Sequence, residues 1–479
     1  MKKLEKNKVL LVTCDTERYL THEDKQVPKE RPNEEIAMYP IGLAYLYSCL
    51  ESKNIDVRLL ALNTKPHIYS FNKVIGEIEI FSPDFVGFQM LTGNRVSTYR
   101  LIEYIHEHYP NINIVVGGIH ATIMYKQLVE KYPFIIAVIG EGEITFFELI
   151  KELNEKKPNL QKIDGIGFYK GKEAIRTKPR KLIEDLDILP FPKHELFFKN
   201  NKKRYEGGIF TSRGCPMNCS FCCLNPESKR VVRFRDVNKV VDEIEYMVKS
   251  FPQITEIMFQ DDSFFINNQR VINICNEIIR RKIKMRFNCC GRMKPISKEM
   301  VKKLEEAGFD RVCLGIESAD PGILISSRKG ISQQDIINTF KLFAKSPINL
   351  KPFLIVGLPG ENMKTIKESA RFLKKIQKIK YFSCGNWANL LVVFPGSEVY
   401  EIAKSKGMIN DDFWLSDKEI PIYTAEHSVE ELKKIGDALL NNISFYRIIT
   451  PKGFIAQFEM IPYIAEYLFG RVKYMLTKK

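Results

Sequence analysis

The residues of this 479-residue chain best suited by type and spacing to do chemistry are Cys215, Cys219 and Cys222. They stand in the run Thr211-Ser212-Arg213-Gly214-Cys215-Pro216-Met217-Asn218-Cys219-Ser220-Phe221-Cys222. A cubane 4Fe-4S cluster has four irons, and protein thiolates usually cap all of them. Intervals of three and then two residues supply three thiolates from one tight loop, so one iron stays open to an external ligand. Cys223 adjoins Cys222, but neighbouring residues point in different directions, which makes it a poor fourth ligand. Zinc is the competing reading, yet zinc sites favour two ligand pairs with the second at a distance. No second Cys-x-x-Cys pair exists, and Cys289-Cys290 are adjacent to each other. The spacing favours iron–sulfur.

The elements around this run place it. From residue 205 to about 410 a strand-then-helix unit repeats six times. The expected strands are Ile209–Ser212, Glu256–Asp261, Lys284–Asn288, Arg311–Ile316, Pro352–Val356 and Ala388–Phe394. Helical patterns follow, as in Val237–Lys249, Asn268–Arg281, Lys298–Ala307 and Gln333–Ala344. Six units predict a partial barrel, with chemistry at the carboxyl ends of its strands. The three cysteines fall just after its first strand.

Ahead of it, residues 1–150 alternate strands (Val9–Cys14, Val57–Leu62, Phe85–Met90, Ile112–Val116, Phe134–Ile139) with helical stretches such as Ile41–Ser52 and Thr98–His108. That alternation predicts a doubly wound parallel sheet. Glycine-rich turns follow the later strands, Gly117-Gly118-Ile119-His120 and Gly140-Glu141-Gly142-Glu143, where such sheets bind ligands. Residues 151–204 read as a connector, with a small hairpin at Asp164–Lys172 and prolines at 190 and 192 that cannot sit in a helix interior. Residues 411–479 are expected to be helical. Their apolar end, Phe454–Leu476, carries Arg471 and Lys473, so it suits either plain packing or a peripheral contact with a membrane surface.

Composition narrows the classes. Hydrophobic content of 44% and charged content of 27% are globular values, which exclude global disorder. No apolar run reaches the roughly 18–20 residues of a membrane span. The lysine-bearing start, MKKLEKNKVLLVTCD, imitates a signal peptide, but its apolar run is short and no small-residue cleavage site follows. It reads as a first strand, and a cytoplasmic protein is expected. Eleven cysteines, three of them clustered, fit metal in a reduced compartment better than a disulfide framework. The net charge of +15 comes from lysines spread along the chain with no run of five, so a solvated surface explains it better than a nucleic-acid partner.

The Cys-x-x-x-Cys-x-aromatic-Cys pattern, with Phe221 before the last cysteine, resembles the radical S-adenosylmethionine (SAM) superfamily. Over residues 8–410 the chain resembles its cobalamin-binding branch, in which a Rossmann-like corrinoid domain precedes the barrel. The resemblance rests on the two glycine-rich turns and on Leu189-Pro190-Phe191-Pro192, Phe259-Gln260-Asp261-Asp262-Ser263-Phe264, Gly315-Ile316-Glu317-Ser318, Gly357-Leu358-Pro359-Gly360-Glu361 and Phe394-Pro395-Gly396-Ser397. It implies SAM bound at the open iron and cleaved by one electron to a 5'-deoxyadenosyl radical, a species protein side chains cannot generate. It also implies a donor such as flavodoxin or ferredoxin. Asp261 or Asp262 is expected to meet SAM's ammonium or ribose, Glu317 the ribose hydroxyls, and Arg292 the carboxylate. Gly117, Gly118, His120, Gly140, Glu141 and Gly142 are expected at the corrinoid. The Asp-x-His-x-x-Gly loop of many corrinoid domains is absent; His120 lacks its aspartate and glycine, which leaves the cobalt's lower face undefined, with the Leu91–Val96 loop able to approach it.

Methylation of an unactivated carbon, drawing on two SAM molecules and cobalamin, is the leading activity that the resemblance implies. Radical rearrangement or oxidative cyclisation of a tetrapyrrole or lipid-like substrate is the alternative. Methylthiolation of tRNA would suit the basic charge, but such enzymes hold three further cysteines in their first domain, and this chain offers Cys14 and Cys49. A non-catalytic cobalamin and cluster sensor would have no use for a vacant iron. No signature names the substrate, and the apolar tail tilts toward a small hydrophobic or lipid-like one.

Overall fold

The computed structural model describes residues 7–15, 40–62, 67–199, 206–223, 230–382 and 388–444. The expected helix Phe454–Leu476 lies outside them. Among the described residues no helix is long and apolar enough to cross a membrane.

The amino-terminal part runs β1 (Lys8–Thr13), α1 (Ile41–Glu51), β2 (Asp56–Ala61), α2 (His67–Phe81), β3 (Phe85–Gln89), α3 (Arg95–His108), β4 (Asn113–Gly117), α4 (Ile119–Lys131), β5 (Ile135–Val138) and α5 (Gly142–Leu153). The inner strands β1, β3 and β4 are short, largely apolar and buried on both sides, as a parallel sheet covered by helices requires. Leu50 of α1 and Phe146 and Leu149 of α5 pack on one face, and Val74, Leu101 and Leu128 of α2–α4 on the other. A hairpin, β6 (Ile166–Lys170) and β7 (Glu173–Arg176), then extends the same sheet by antiparallel pairing with β5. The sheet is therefore mixed, in the order β2-β1-β3-β4-β5-β6-β7, and the hairpin in the expected connector is its far edge. The order reverses between β1 and β3, which opens a crevice beyond the carboxyl ends.

After the short α6 (Glu195–Phe198) the second sheet begins at β8 (Glu206–Ile209), with β9 (Ser212–Arg213) and β10 (Arg233–Phe234) forming a small antiparallel pair beside it. It continues α7 (Val237–Ser250), β11 (Glu256–Phe259), α8 (Asn268–Arg280), β12 (Arg286–Gly291), α9 (Lys298–Ala307), β13 (Phe309–Glu317), α10 (Pro321–Ser326), α11 (Gln333–Phe343), β14 (Asn349–Val356), α12 (Met363–Ile379) and β15 (Ala388–Leu390). Its order, β8-β11-β12-β13-β14-β15, is sequential and parallel, the half-barrel that six repeats predict. Side chains cap the helix starts: Asp236 for α7, Asn267 for α8, Ser297 for α9, Ser332 for α11 and Asn362 for α12. Two last helices, α13 (Glu398–Ser405) and α14 (Val429–Ser444), close the described chain.

The two parts share cores. Ile41, Ala44 and Tyr45 of α1 belong to the barrel's cluster, and Val399, Tyr400 and Trp414 belong to that of the first sheet. The carboxyl ends of both sheets are thereby held over a common space.

Candidate active site

The cysteine loop is braced by its neighbours. It leaves β9 and turns at Gly214, where φ is +96° and a Cβ would fall on the Val231 carbonyl oxygen. Asp261, just past β11, accepts from the Thr211 N–H, the Thr211 hydroxyl and the Ser212 hydroxyl, each at 2.6 Å. Burial pushes its carboxyl up against the pull of those bonds. Asp262 accepts the Gly214 N–H at 2.9 Å. One of the two aspartates is expected at SAM; Asp261 has its two oxygens occupied and braces the strand that launches the loop. A buried carboxylate must be satisfied, and the nearest donors are the loop's own. Asp262 keeps an exposed side. Beyond, the Ser220 N–H donates to the Ser327 carbonyl at 3.0 Å, and the Val399 N–H donates to the Ser220 carbonyl at 3.1 Å. Among the described residues no three His, Cys, Asp or Glu side chains converge as a single metal ion requires. A cubane offers each thiolate its own iron, so three thiolates on one loop fit a cluster.

Opposite the loop, at the mouth of the half-barrel, Glu317 ends β13 with φ +65°, a left-handed conformation that costs about 1–3 kcal/mol for a residue with a side chain. Its carboxylate pairs with Lys329 Nζ at 2.9 Å, both nearly buried. Gly315 makes room for the pair, since a Cβ there would collide with both groups. Arg292, beyond β12, is buried and donates to the Lys329 carbonyl at 3.0 Å. Lys329 Nζ stands 5.8 Å from the centre of the Phe221 ring. Glu317, Arg292 and Phe221, far apart in sequence, thus meet around Lys329. Sequence reasoning missed Lys329, because nothing in Ser327-Arg328-Lys329-Gly330 signals its partner.

Between the two sheets lies a cavity of about 630 Å³. Gly117, Gly118, Gly140, Glu141 and Gly142 line one side with Phe88, Leu43 and Tyr45; Gly214, Cys222, Cys223 and Asp262 line the other. Its size suits a bulky ligand, and its mostly apolar wall of backbone and small residues suits the flat face of a macrocycle. Glu141 sits on this wall already engaged. It accepts from Arg213 at 3.0 Å, from both Arg233 terminal nitrogens at 2.9 Å and from the Ile183 N–H at 3.0 Å. Burial opposes its charge, but Arg233 and Arg213 hold its carboxyl below the usual range. Arg213 also reaches Glu143 at 2.5 Å. Arg213 and Arg233 were also missed; the first sits two residues before Cys215, but its acids lie 70 residues away in sequence.

His120 is elsewhere. It lies in the core behind the cavity, 1% exposed, 3.2 Å from the Thr92 hydroxyl and 3.4 Å from the Tyr99 hydroxyl, with Trp414 edge-on. Burial and Arg95 push its pKa down to about 3, so it is neutral. The helix start at Ile119 turns the side chain after the glycines inward. Residues 91–96 do not line the cavity either; Thr92 and Asn94 are buried, and the Asn94 amide donates to the Gln89 carbonyl at 3.0 Å.

Comparison with known proteins matches residues 209–373 to the Radical SAM superfamily and residues 35–150 to the B12 binding domain. An uncharacterized methyltransferase of Pyrococcus horikoshii is 29% identical over 82% of this chain and 84% of its own. An anaerobic magnesium-protoporphyrin IX monomethyl ester cyclase of Cereibacter sphaeroides is also 29% identical, over 69% of this chain and 56% of its own length, little more than half. Among solved structures, the cobalamin-dependent SAM radical enzyme OxsB, with aqua-cobalamin and SAM bound, covers 96% of this chain and 71% of its own at 20% identity and TM-score 0.72. The radical SAM methyltransferase TsrM from Kitasatospora setae, with tryptophan substrate and a SAM analog bound, covers 84% and 76% at 20% identity and TM-score 0.68. The likeness to both structures is one of fold.

Proposed function

This chain belongs to the cobalamin-binding branch of the radical SAM superfamily, and from that premise we propose that it methylates an unactivated carbon of a small organic substrate. When bound, the cluster, SAM and cobalamin supply one-electron cleavage of SAM and a methyl carrier. The rest falls to the chain's own residues. Cys215, Cys219 and Cys222 would hold the cluster, on a loop braced by Asp261 and Asp262. Glu317, Arg292 and Lys329 would orient SAM against the cluster, the paired Glu317 and Lys329 offering an acceptor and a donor at one place. The wall from Gly117 to Gly142 would seat the corrinoid, while the Glu141, Arg213 and Arg233 network keeps that wall registered to the cysteine loop.

The observation that carries this reading is the shared cavity, lined by glycines of the first domain on one side and by Cys222 and Asp262 on the other. A methyl carrier held by that wall would lie beside the cysteine loop, whose Cys222 and whose brace Asp262 line the same cavity. Named methyltransferases among the relatives support it, including one of 2-(S-pantetheinyl)-carbapenam-3-carboxylate that is 22% identical. Oxidative cyclisation is the second reading, favoured by the cyclase likeness. Anaerobic reconstitution with iron, sulfide and cobalamin, followed by mass spectrometry of the SAM products, separates them. Methylation yields both S-adenosylhomocysteine and 5'-deoxyadenosine; 5'-deoxyadenosine alone refutes it and favours cyclisation. Flavodoxin or ferredoxin is the proposed source of the electron.

A further inference from the structure

Cys290 and Cys313 face each other across β12 and β13, and no role above uses them. They are register partners in the parallel ladder. Neighbouring strands lie about 4.8 Å apart, a separation that falls within the span a disulfide bridges. Strand alternation puts Cys289, with Val312, Leu314 and Ile316, into the core beneath the helices. It therefore turns Cys290 and Cys313 to the concave face of the half-barrel. On that face Gly315 is the next position above Cys313, and Arg292 and Glu317 stand at the mouth. The charged groups around the pair are Arg311 on β13, Glu256 on β11 and Lys351 on β14, with the Cys289 thiol on the core side. Arg311 is itself bonded to Glu256. The neighbouring Cys290 thiol, with Arg311 and Lys351, holds Cys313 below an ordinary thiol, against burial and Glu256, while Cys313 and burial raise Cys290. An attacking sulfur with a resolving thiol beside it is the arrangement of a redox-sensitive pair.

We propose that Cys290 and Cys313 are a redox-active dithiol, a modification site separate from the cluster cysteines, oxidised by hydrogen peroxide. The Cys313 thiolate breaks the O–O bond, gaining a hydroxyl as sulfenic acid and releasing hydroxide. The Cys290 sulfur displaces that hydroxyl, an S–S bond forms and water leaves. In total, two thiols and one peroxide give one disulfide and two waters. The bridge lies two residues before Arg292 and four before Glu317, so it clamps the strands that carry them in one fixed register; this last consequence rests on the reading of those residues as SAM contacts.

The test treats anaerobically prepared, cluster-loaded protein with a single equivalent of peroxide, maps disulfides by mass spectrometry, and follows SAM affinity by equilibrium dialysis. A Cys290–Cys313 cross-linked peptide is expected, reversed by dithiothreitol and absent from Cys290→Ser, together with a severalfold loss of SAM affinity that Cys290→Ser does not show. Both thiols remaining free to alkylate while Cys222 is oxidised overturns the dithiol. A cross-link with unchanged SAM affinity overturns the connection to Arg292 and Glu317 and leaves the modification site standing. Independently of any oxidant, alkylation of Cys313 should shift to higher pH in Cys290→Ser; an unshifted profile overturns the role of Cys290.

Discussion

The crevice of the first sheet and the mouth of the half-barrel are built on the same strand-end logic, yet their walls differ. The crevice presents glycines and apolar side chains, and its acids Glu141 and Glu143 are tied to arginines of the barrel. The mouth presents a charged pair, Glu317 and Lys329, beside Arg292. A broad macrocycle is held by surface and shape, because burying apolar area stabilises by about 25 cal/mol per Å². A zwitterion such as SAM is held by matched charge and hydrogen bonds. One chain keeps the two kinds of wall apart and sets the cysteine loop between them, tied to the crevice through Arg213 and to the mouth through Phe221 beside Lys329.

Cys219→Ala should break the comparison most completely. We expect 5'-deoxyadenosine formation to be abolished and cluster iron lost, while cobalamin absorbance is retained; iron analysis and visible spectra of one preparation check this. Glu141→Ala should damage both sides at once, since it leaves the largely buried Arg233 guanidinium without its carboxylate, at a cost of about 3–5 kcal/mol, and leaves Arg213 with Glu143 alone. A lower melting temperature with weaker retention of both cluster and cobalamin is expected, and full retention of both would refute the coupling. Lys329→Gln should sharpen the contrast, weakening SAM by about tenfold, or ~1.4 kcal/mol, with cobalamin binding unchanged in a parallel titration. His120→Phe should cost about 1–3 kcal/mol of stability by taking the partner of the buried Thr92 hydroxyl and leave cobalamin affinity as it was, because the side chain is behind the crevice.

A further effect concerns pH. Glu361, 1% exposed, accepts the Gly357 N–H at 2.7 Å, and burial pushes its carboxyl up to about 7. The unfolded chain releases that proton at the ordinary 4.5. The protonated form is therefore favoured by folding, and its stabilisation, complete below 4.5, is lost as pH rises toward 7. Denaturation across that window should show a downward slope that Glu361→Gln removes.

Much of the fold was legible because local chemistry repeats. The barrel helices begin at side chains that cap them, and strands such as Glu256–Phe259 and Asn349–Val356 are largely apolar runs of fitting length, so the six-unit alternation stands in the chain for anyone to read. The mixed edge was harder: the 166–176 hairpin looks alike whether it hangs free or pairs with β5, and only β5's open edge decides. Among site residues, Glu317 and Arg292 were legible from motif position, whereas Lys329, Arg213 and Arg233 were not. An ion pair needs a partner, and theirs lie 12 to 92 residues away. The aspartates were legible as strand-end acids, but not their task, because what a carboxylate binds depends on which donors burial leaves beside it.

By itself, then, the sequence determined the cysteine spacing that leaves an iron open, the alternation that builds two parallel sheets, and the glycines that thin a ligand wall. These are properties of residue type and interval along one chain. The tertiary structure alone decided that the two sheets share cores and one cavity, that Glu141 is a bridge and His120 a core residue, and that Glu317 meets Lys329. Those are properties of which surfaces meet, and electrostatic and packing energies depend on distance in space rather than on distance along the chain.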